Sequence, residues 1–318
     1  MDKSIIEILD YFPRRIKEKL IEYANFLNQT QEIHVYTNRH ILLRTSLKEI
    51  KVDYIVNTNE VLEILQRICD NSIYTYQSQI CNGYITIKGG HRVGITGEVV
   101  VKDGQVINIS YIYSLNFRIA RQILGCSSMA LPYIVNAHEN TIHSTIILSP
   151  PGRGKTTLLR DIVRSISNGL EKINFKGLHV GVVDERGEIA AMYKGVPQND
   201  LGERTDILNN ISKEKGMKML VRAMAPEVLA ADEIGTKEDI EAIKYATTSG
   251  VKGIFTAHGG SMEDILQNPI LQSLYRMNII ERTLLIKKDR SISLIGIKHL
   301  KEESKWYLLK LLYYYQYF

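Results

Sequence analysis

An α/β fold with a mostly parallel sheet, preceded by a smaller α+β domain, is what this sequence predicts, and three observations carry the prediction. The second half alternates short apolar strand patterns with helical ones, as parallel strands joined by helices do. The glycine-containing run Ser149-Pro-Pro-Gly-Arg-Gly-Lys-Thr-Thr157 falls between one such strand and the helix after it. The first 135 or so residues instead carry helical spacing and then a hairpin-like alternation, and the pattern changes near Pro132.

Taken in order, Ile5, Ile8, Leu9, Phe12, Ile16, Leu20, Tyr23 and Leu27 recur at spacings of three and four, which predicts a core-facing helix pair interrupted near Pro13. A second helix is predicted over Val61 to Cys69. From Gly83 to Val101 apolar residues alternate about Gly89-Gly90 like a β-hairpin. These elements make residues 1–135 an α+β domain, and residues 136–318 the α/β domain. In the latter, strands are predicted at Thr145 to Leu148, Leu178 to Val183, Val228 to Ala231 and Gly253 to Thr256. Helices are predicted at Thr156 to Ile166 and Lys237 to Thr247. Ligands of such sheets bind beyond the carboxyl ends of the strands, so those ends hold the candidate chemistry. The chain closes on an aromatic tail, Tyr313 to Phe318.

With 318 residues, 44% of them hydrophobic, the chain can bury a sizeable core and divide into two domains. Its formal net charge of +5 is spread along the sequence, gathering only loosely around Arg14 to Lys19. No basic stripe interleaves with aromatics as in single-strand binders, so no nucleic-acid partner is expected. Cys69, Cys81 and Cys126 have neither metal-ligand spacing nor the even count of a disulfide framework, which reads as reduced thiols of a cytoplasmic protein. No apolar run approaches the roughly 18 residues of a membrane helix, and Asp2, Glu7 and Asp10 break the N-terminus, so neither a membrane span nor a signal peptide is expected.

The run from Ser149 to Thr157 has the composition of a phosphate-binding loop, a P-loop. Gly152 and Gly154 let the backbone turn its N–H groups toward phosphate oxygens, and the helix after them points its positive end the same way. The nucleotide-binding set is therefore Ser149, Pro150, Pro151, Gly152, Arg153, Gly154, Lys155, Thr156 and Thr157. In this set Lys155 neutralises the β- and γ-phosphates of ATP, Thr156 ligates Mg²⁺, and Thr157 contacts the α-phosphate. Ser149 stands where the usual pattern has glycine, and altered affinity rather than loss of the site is expected. Val228-Leu-Ala-Ala-Asp-Glu233 supplies two carboxylates at a strand end: Asp232 for Mg²⁺ and Glu233 as the base for the attacking water. His258 ends another strand and is a candidate γ-phosphate sensor. Arg186, Arg204 and Arg222 are candidates to stabilise charge on the phosphoryl group, from the same or a neighbouring subunit. An ATP hydrolase is the expectation. A nucleic-acid-associated P-loop ATPase and a nucleotide-gated scaffold with little hydrolysis stay open beside it.

Taken together, these motifs resemble the stage III sporulation protein AA family of endospore-forming bacteria, itself similar to the ring-forming ATPases of type II and type IV secretion. The resemblance rests on Gly94-Ile-Thr-Gly97, Asn116-Phe-Arg-Ile-Ala-Arg121, Pro150 to Thr157 and Val183-Asp-Glu-Arg-Gly-Glu-Ile189. It extends through Arg204-Thr-Asp206, Ala225-Pro-Glu227, Asp232-Glu-Ile-Gly235 and Thr256-Ala-His-Gly259. It implies a RecA-like ATPase domain behind an N-terminal domain used for assembly and partner contact. It also implies Glu185, Glu233 and His258 as the residues of an acidic box, a second acidic strand end and a histidine box around the nucleotide. Further implications are a hexameric homo-oligomer and membrane-protein partners in a sporulation channel. The expected place of work is the mother-cell cytoplasm, against the membrane facing the forespore.

Overall fold

A computed structural model describes residues 2–295; the aromatic tail Tyr313 to Phe318 lies outside them. The chain forms two compact units. One runs from the N-terminus to Arg121 and includes Ala191–Asn199; the other comprises Gln122–Ala190 and the described residues from Asp200 onward.

In the first unit, helices α1 (Lys3–Leu9), α2 (Arg14–Ile21) and α3 (Ala24–Leu27) precede strands β1 (Thr30–Tyr36), β2 (Arg39–Thr45) and β3 (Glu49–Val56). Helices α4 (Thr58–Ile68) and α5 (Gln77–Cys81) follow, then β4 (Tyr84–Thr86), β5 (Arg92–Lys102) and β6 (Gln105–Arg118). Pro13 is the N-cap of α2, so the predicted interruption is a helix start, where proline's missing N–H and fixed φ cost little. Asn57 and Glu60 close a capping box on α4. The alternation about Gly89-Gly90 is the antiparallel pair β4–β5. The six strands order β3-β2-β1-β6-β5-β4. One face, with Ile33, Val35, Leu43, Val52, Val93, Leu115 and Phe117, shares a core with Ile5, Ile8, Phe12, Ile16 and Leu20 of the N-terminal helices and Val61, Ile64 and Ile68 of α4.

The second unit opens with α6 (Leu131–Ile134), β7 (Val135–Asn136) and β8 (Thr141–Ile142). Its main elements are β9 (Thr145–Ser149), α7 (Lys155–Asn168), β10 (Val180–Asp184), β11 (Thr205–Asn209), α8 (Lys213–Met224), β12 (Val228–Ala231), α9 (Lys237–Thr248) and β13 (Lys252–His258). It continues through α10 (Met262–Gln267), α11 (Pro269–Arg276), β14 (Arg282–Ile286) and β15 (Ile292–Ile295). Among the described residues, its main sheet orders β11-β10-β12-β13-β9-β14-β15, parallel except for the antiparallel β14–β15 pair. Every residue of β9, β10 and β12 is buried, as in parallel strands covered on both faces. Packing is close enough that a Cβ on Gly216 of α8 would meet Val183 Cγ1 at 2.6 Å. Because β9, β10, β12 and β13 run in one direction, Ser149, Asp184, Asp232 and His258 all come to one edge of the sheet. Strand β13 lies between β12 and β9, opposing His258 to Ser149.

Candidate nucleotide-binding site

At the end of β9 the chain turns through Gly152 (φ 71°) and Gly154 (φ 94°) into α7. A Cβ on either glycine would meet nothing within 4 Å, so glycine is needed here for the left-handed backbone rather than for space. Gly154 is the N-cap, and no side chain caps the helix. The orphan N–H groups of its first turn and the helix dipole therefore offer themselves to an anion. Ser149, by contrast, is the last residue of a paired strand, where a Cβ is tolerated. Its hydroxyl donates to the Pro150 carbonyl at 2.8 Å.

Lys155 is buried. Its Nζ donates to the Ser149 carbonyl at 3.0 Å and lies 3.2 Å from His258 Nδ1. Burial pulls its pKa below the ordinary lysine value, partly offset by the charges of Asp232 and Glu233. The Thr156 hydroxyl donates to Asp232 Oδ2 at 2.5 Å, and the Thr256 hydroxyl donates to Asp232 Oδ1. Glu233 has a positive φ of 53°. Its carboxylate is held by Arg186 Nη1 at 2.5 Å and by His258 Nε2 at 3.2 Å.

The third strand end is built differently. The Asp184 carboxylate accepts the backbone N–H groups of Glu188, Ile189 and Ala190 at 2.8–3.1 Å, which closes the loop after β10. Arg160, one helical turn beyond the phosphate loop, donates to the carbonyls of Glu188 and Ile189 at 2.9 and 3.0 Å. Burial lowers its pKa against the opposing charge of Asp184. Glu185 is paired with Lys213 Nζ at 2.5 Å, and Glu185, Lys213, Asp232 and Glu233 line one small cavity.

The tertiary structure thus gathers Lys155, Thr156, Asp232, Glu233, His258 and Arg186 at one place, with Glu185 beside them. Arg153 is exposed and reaches the Lys288 carbonyl at 3.4 Å, Pro151 is exposed, and the Thr157 carbonyl accepts the Cys126 thiol at 3.7 Å. Arg204 and Arg222 stand elsewhere. Arg204 donates to the Ser167 carbonyl at 2.8 Å beside the amino end of β11, and Arg222 lies over the Tyr245 ring, 5.9 Å from its centroid. Sequence reasoning attached no role to Thr256, Arg160 or Lys213. For Thr256 the available signal was its place two residues before His258, on the same face of a strand.

The donor set fits a nucleoside triphosphate with a divalent cation: free amides, a buried ammonium, and a hydroxyl–carboxylate pair. Among the described residues no three His, Cys, Asp or Glu side chains gather as a metal cage. A cation here would be held by Thr156 and Asp232 together with phosphate oxygens, the manner usual for Mg²⁺.

The α/β fold is one shared with the solved ATPase DotB and the pilus retraction motor PilT. The ATPase DotB of Legionella pneumophila superposes with a TM-score of 0.56 at 16% identity, covering 94% of this chain and 84% of that one. The pilus retraction motor PilT, solved with bound ADP, gives 0.56 at 13% identity, covering 93% and 88%. The chain belongs to the family described as sporulation stage III, protein AA, which it matches over residues 2–303. It is 38% identical over 286 residues to stage III sporulation protein AA of Bacillus subtilis (strain 168), covering 89% of this chain and 91% of that protein. No helix among the described residues is long and apolar enough to cross a membrane.

Proposed function

We propose that this chain is a Mg²⁺-dependent ATP hydrolase acting as a secretion-type motor, which powers or assembles a channel between mother cell and forespore. The observation that carries the reading is the convergence of Lys155, Thr156, Asp232, Glu233 and His258 on one sheet edge, around the uncapped start of α7. On this reading the amides from Gly152 to Thr156 take the phosphate oxygens. Lys155 exchanges the Ser149 carbonyl for the β- and γ-phosphates. Mg²⁺, when bound, neutralises phosphate charge and is held through Thr156 and Asp232. Glu233 orients the attacking water and takes its proton as the water oxygen bonds to the γ-phosphorus and the bond to the β,γ-bridging oxygen breaks. The contacts of His258 with both Lys155 and Glu233 support its reading as a γ-phosphate sensor, and Glu185 with Lys213 lines a cavity shared with Asp232 and Glu233.

The family and the fold of DotB and PilT support a homo-oligomeric ring, hexameric by resemblance, held peripherally on the mother-cell side by membrane proteins of the channel. The N-terminal unit makes the assembly and partner contacts. A ring also gives Arg204 or Arg222 of one subunit a route to a neighbour's nucleotide, whereas Arg186 pairs with Glu233 of its own chain. The test is steady-state hydrolysis of Mg²⁺–ATP across protein concentrations, comparing the unmodified protein with Lys155→Ala and Glu233→Gln. The expected result is activity per subunit that rises with concentration, vanishes in both variants, and leaves ATP trapped on Glu233→Gln. Equal activity in all three, or no nucleotide binding by the unmodified protein, overturns the reading.

A further inference from the structure

We propose that Thr256 is a positioning residue that sets both acidic groups of the site, Asp232 and Glu233, in their working orientations; the inference rests on the ATPase reading above.

Thr256 lies on β13, the strand that separates the phosphate-loop strand β9 from β12, and it is 0% exposed. It touches no solvent, so any effect on a bound nucleotide would pass through its neighbours. Its hydroxyl uses both of its capacities. It donates to Asp232 Oδ1 and accepts the Glu233 N–H at 2.8 Å. Its main-chain carbonyl accepts the Ile234 N–H at 2.9 Å. One residue therefore grips three consecutive positions at the end of β12.

Two consequences follow for the chemistry. With Thr156 on Oδ2 at 2.5 Å and Thr256 on Oδ1, the Asp232 carboxylate is held on both oxygens. An Mg²⁺ ion demands near-ideal octahedral geometry, so a fixed carboxylate plane matters more here than at a flexible cation site. Glu233 sits at φ 53°, a left-handed conformation that is strained for a residue with a Cβ. The hydrogen bonds that the Glu233 and Ile234 N–H groups donate to Thr256 hold that conformation, with the Glu233 carboxylate against His258 and Arg186. Without the hydroxyl, the Glu233 N–H loses its acceptor and Asp232 Oδ1 its donor, while the β-branched packing can be kept by valine.

The experiment compares the unmodified protein with Thr256→Val and Thr256→Ser in kcat, KM for ATP, the Mg²⁺ concentration for half-maximal rate, and binding of a fluorescent ATP analogue. A misplacement of reacting groups by about an ångström lowers rate on the order of 10²-fold. Thr256→Val is therefore expected to lose at least tenfold in kcat and to need more Mg²⁺, with analogue binding within about threefold of the unmodified protein. Thr256→Ser, which restores the hydroxyl, is expected to recover kcat and the Mg²⁺ midpoint. If Thr256→Val does not fold, Thr256→Cys, with its weak S–H donor, carries the same expectation. The assignment is overturned if the hydroxyl-free variant keeps kcat and Mg²⁺ dependence, or if serine is no better than valine or cysteine. Absence of Lys155-dependent hydrolysis in the unmodified protein overturns the ATPase reading and this one together.

Discussion

Arg186 and Glu233, 47 positions apart in the chain, form an ion pair of 2.5 Å across the ends of β10 and β12. The proposed base of the reaction is thus engaged by a side chain of its own subunit. How strongly it is engaged follows from exposure: the Arg186 side chain is 65% accessible, and pairs so open to water are worth about 0–1 kcal/mol. If Arg186 only holds Glu233 within its own chain, Arg186→Gln changes kcat by less than about fivefold. An arginine that contacts the transferring phosphoryl group is worth about 10³–10⁵ in rate. The measured size of the loss therefore distinguishes the two roles, and the smaller change is expected.

Lys155 gives a prediction of opposite sign for stability and function. Its ammonium is buried and its pKa lowered by that burial, so the charge opposes folding of the nucleotide-free protein. Lys155→Met is expected to melt at the same or a higher temperature than the unmodified protein, yet to lose the upward shift that Mg²⁺–ATP produces by binding the folded state. Thermal melts with and without nucleotide check both halves.

Glycine is needed at Gly152 and Gly154 of the loop and dispensable at Ser149. At Gly154, φ of 94° lies where an added Cβ is strained even though the space is open. Gly154→Ala is expected to cost about 1–2 kcal/mol of stability and to weaken binding of a fluorescent ATP analogue at least tenfold. Ser149 meets Lys155 through its main-chain carbonyl. Ser149→Ala preserves that contact and is expected to shift the same affinity by less than about threefold.

Beneath the opposite edge of the sheet, Glu281 ties three elements. Burial alone would raise its pKa, but hydrogen bonds from His143, Lys252 and the Ser144 amide outweigh it and hold the group at about 2, against an ordinary 4.5. A carboxyl depressed on folding stabilises the protein above its ordinary pKa and loses that contribution as pH falls toward the folded value. Glu281→Gln is expected to lower the melting temperature near neutrality, with the deficit shrinking as pH falls from about 4.5 to about 2. Melts across that window test it.

The strand–loop–helix around Lys155 was legible because it is contiguous: a buried apolar strand, glycines for positive φ, then a helix with its capping side chain missing. The strand Val228–Ala231 with acids at its end was legible for the same reason, and the structure places it on those residues. Less of the first unit could be read, since β1, β2 and β3 mix charged residues into their alternation and declare themselves only by pairing. By itself, then, the sequence determined the fold class and the contiguous strand–loop–helix and strand–acid segments of the second unit. Only the tertiary structure decided that β13 separates β9 from β12, so that Thr256 and His258 stand between the two halves of the site, that Arg186 meets Glu233, and that Arg204 and Arg222 do not. Strand order arises from which apolar faces pack across long connections, and periodicity within a segment carries no record of that choice.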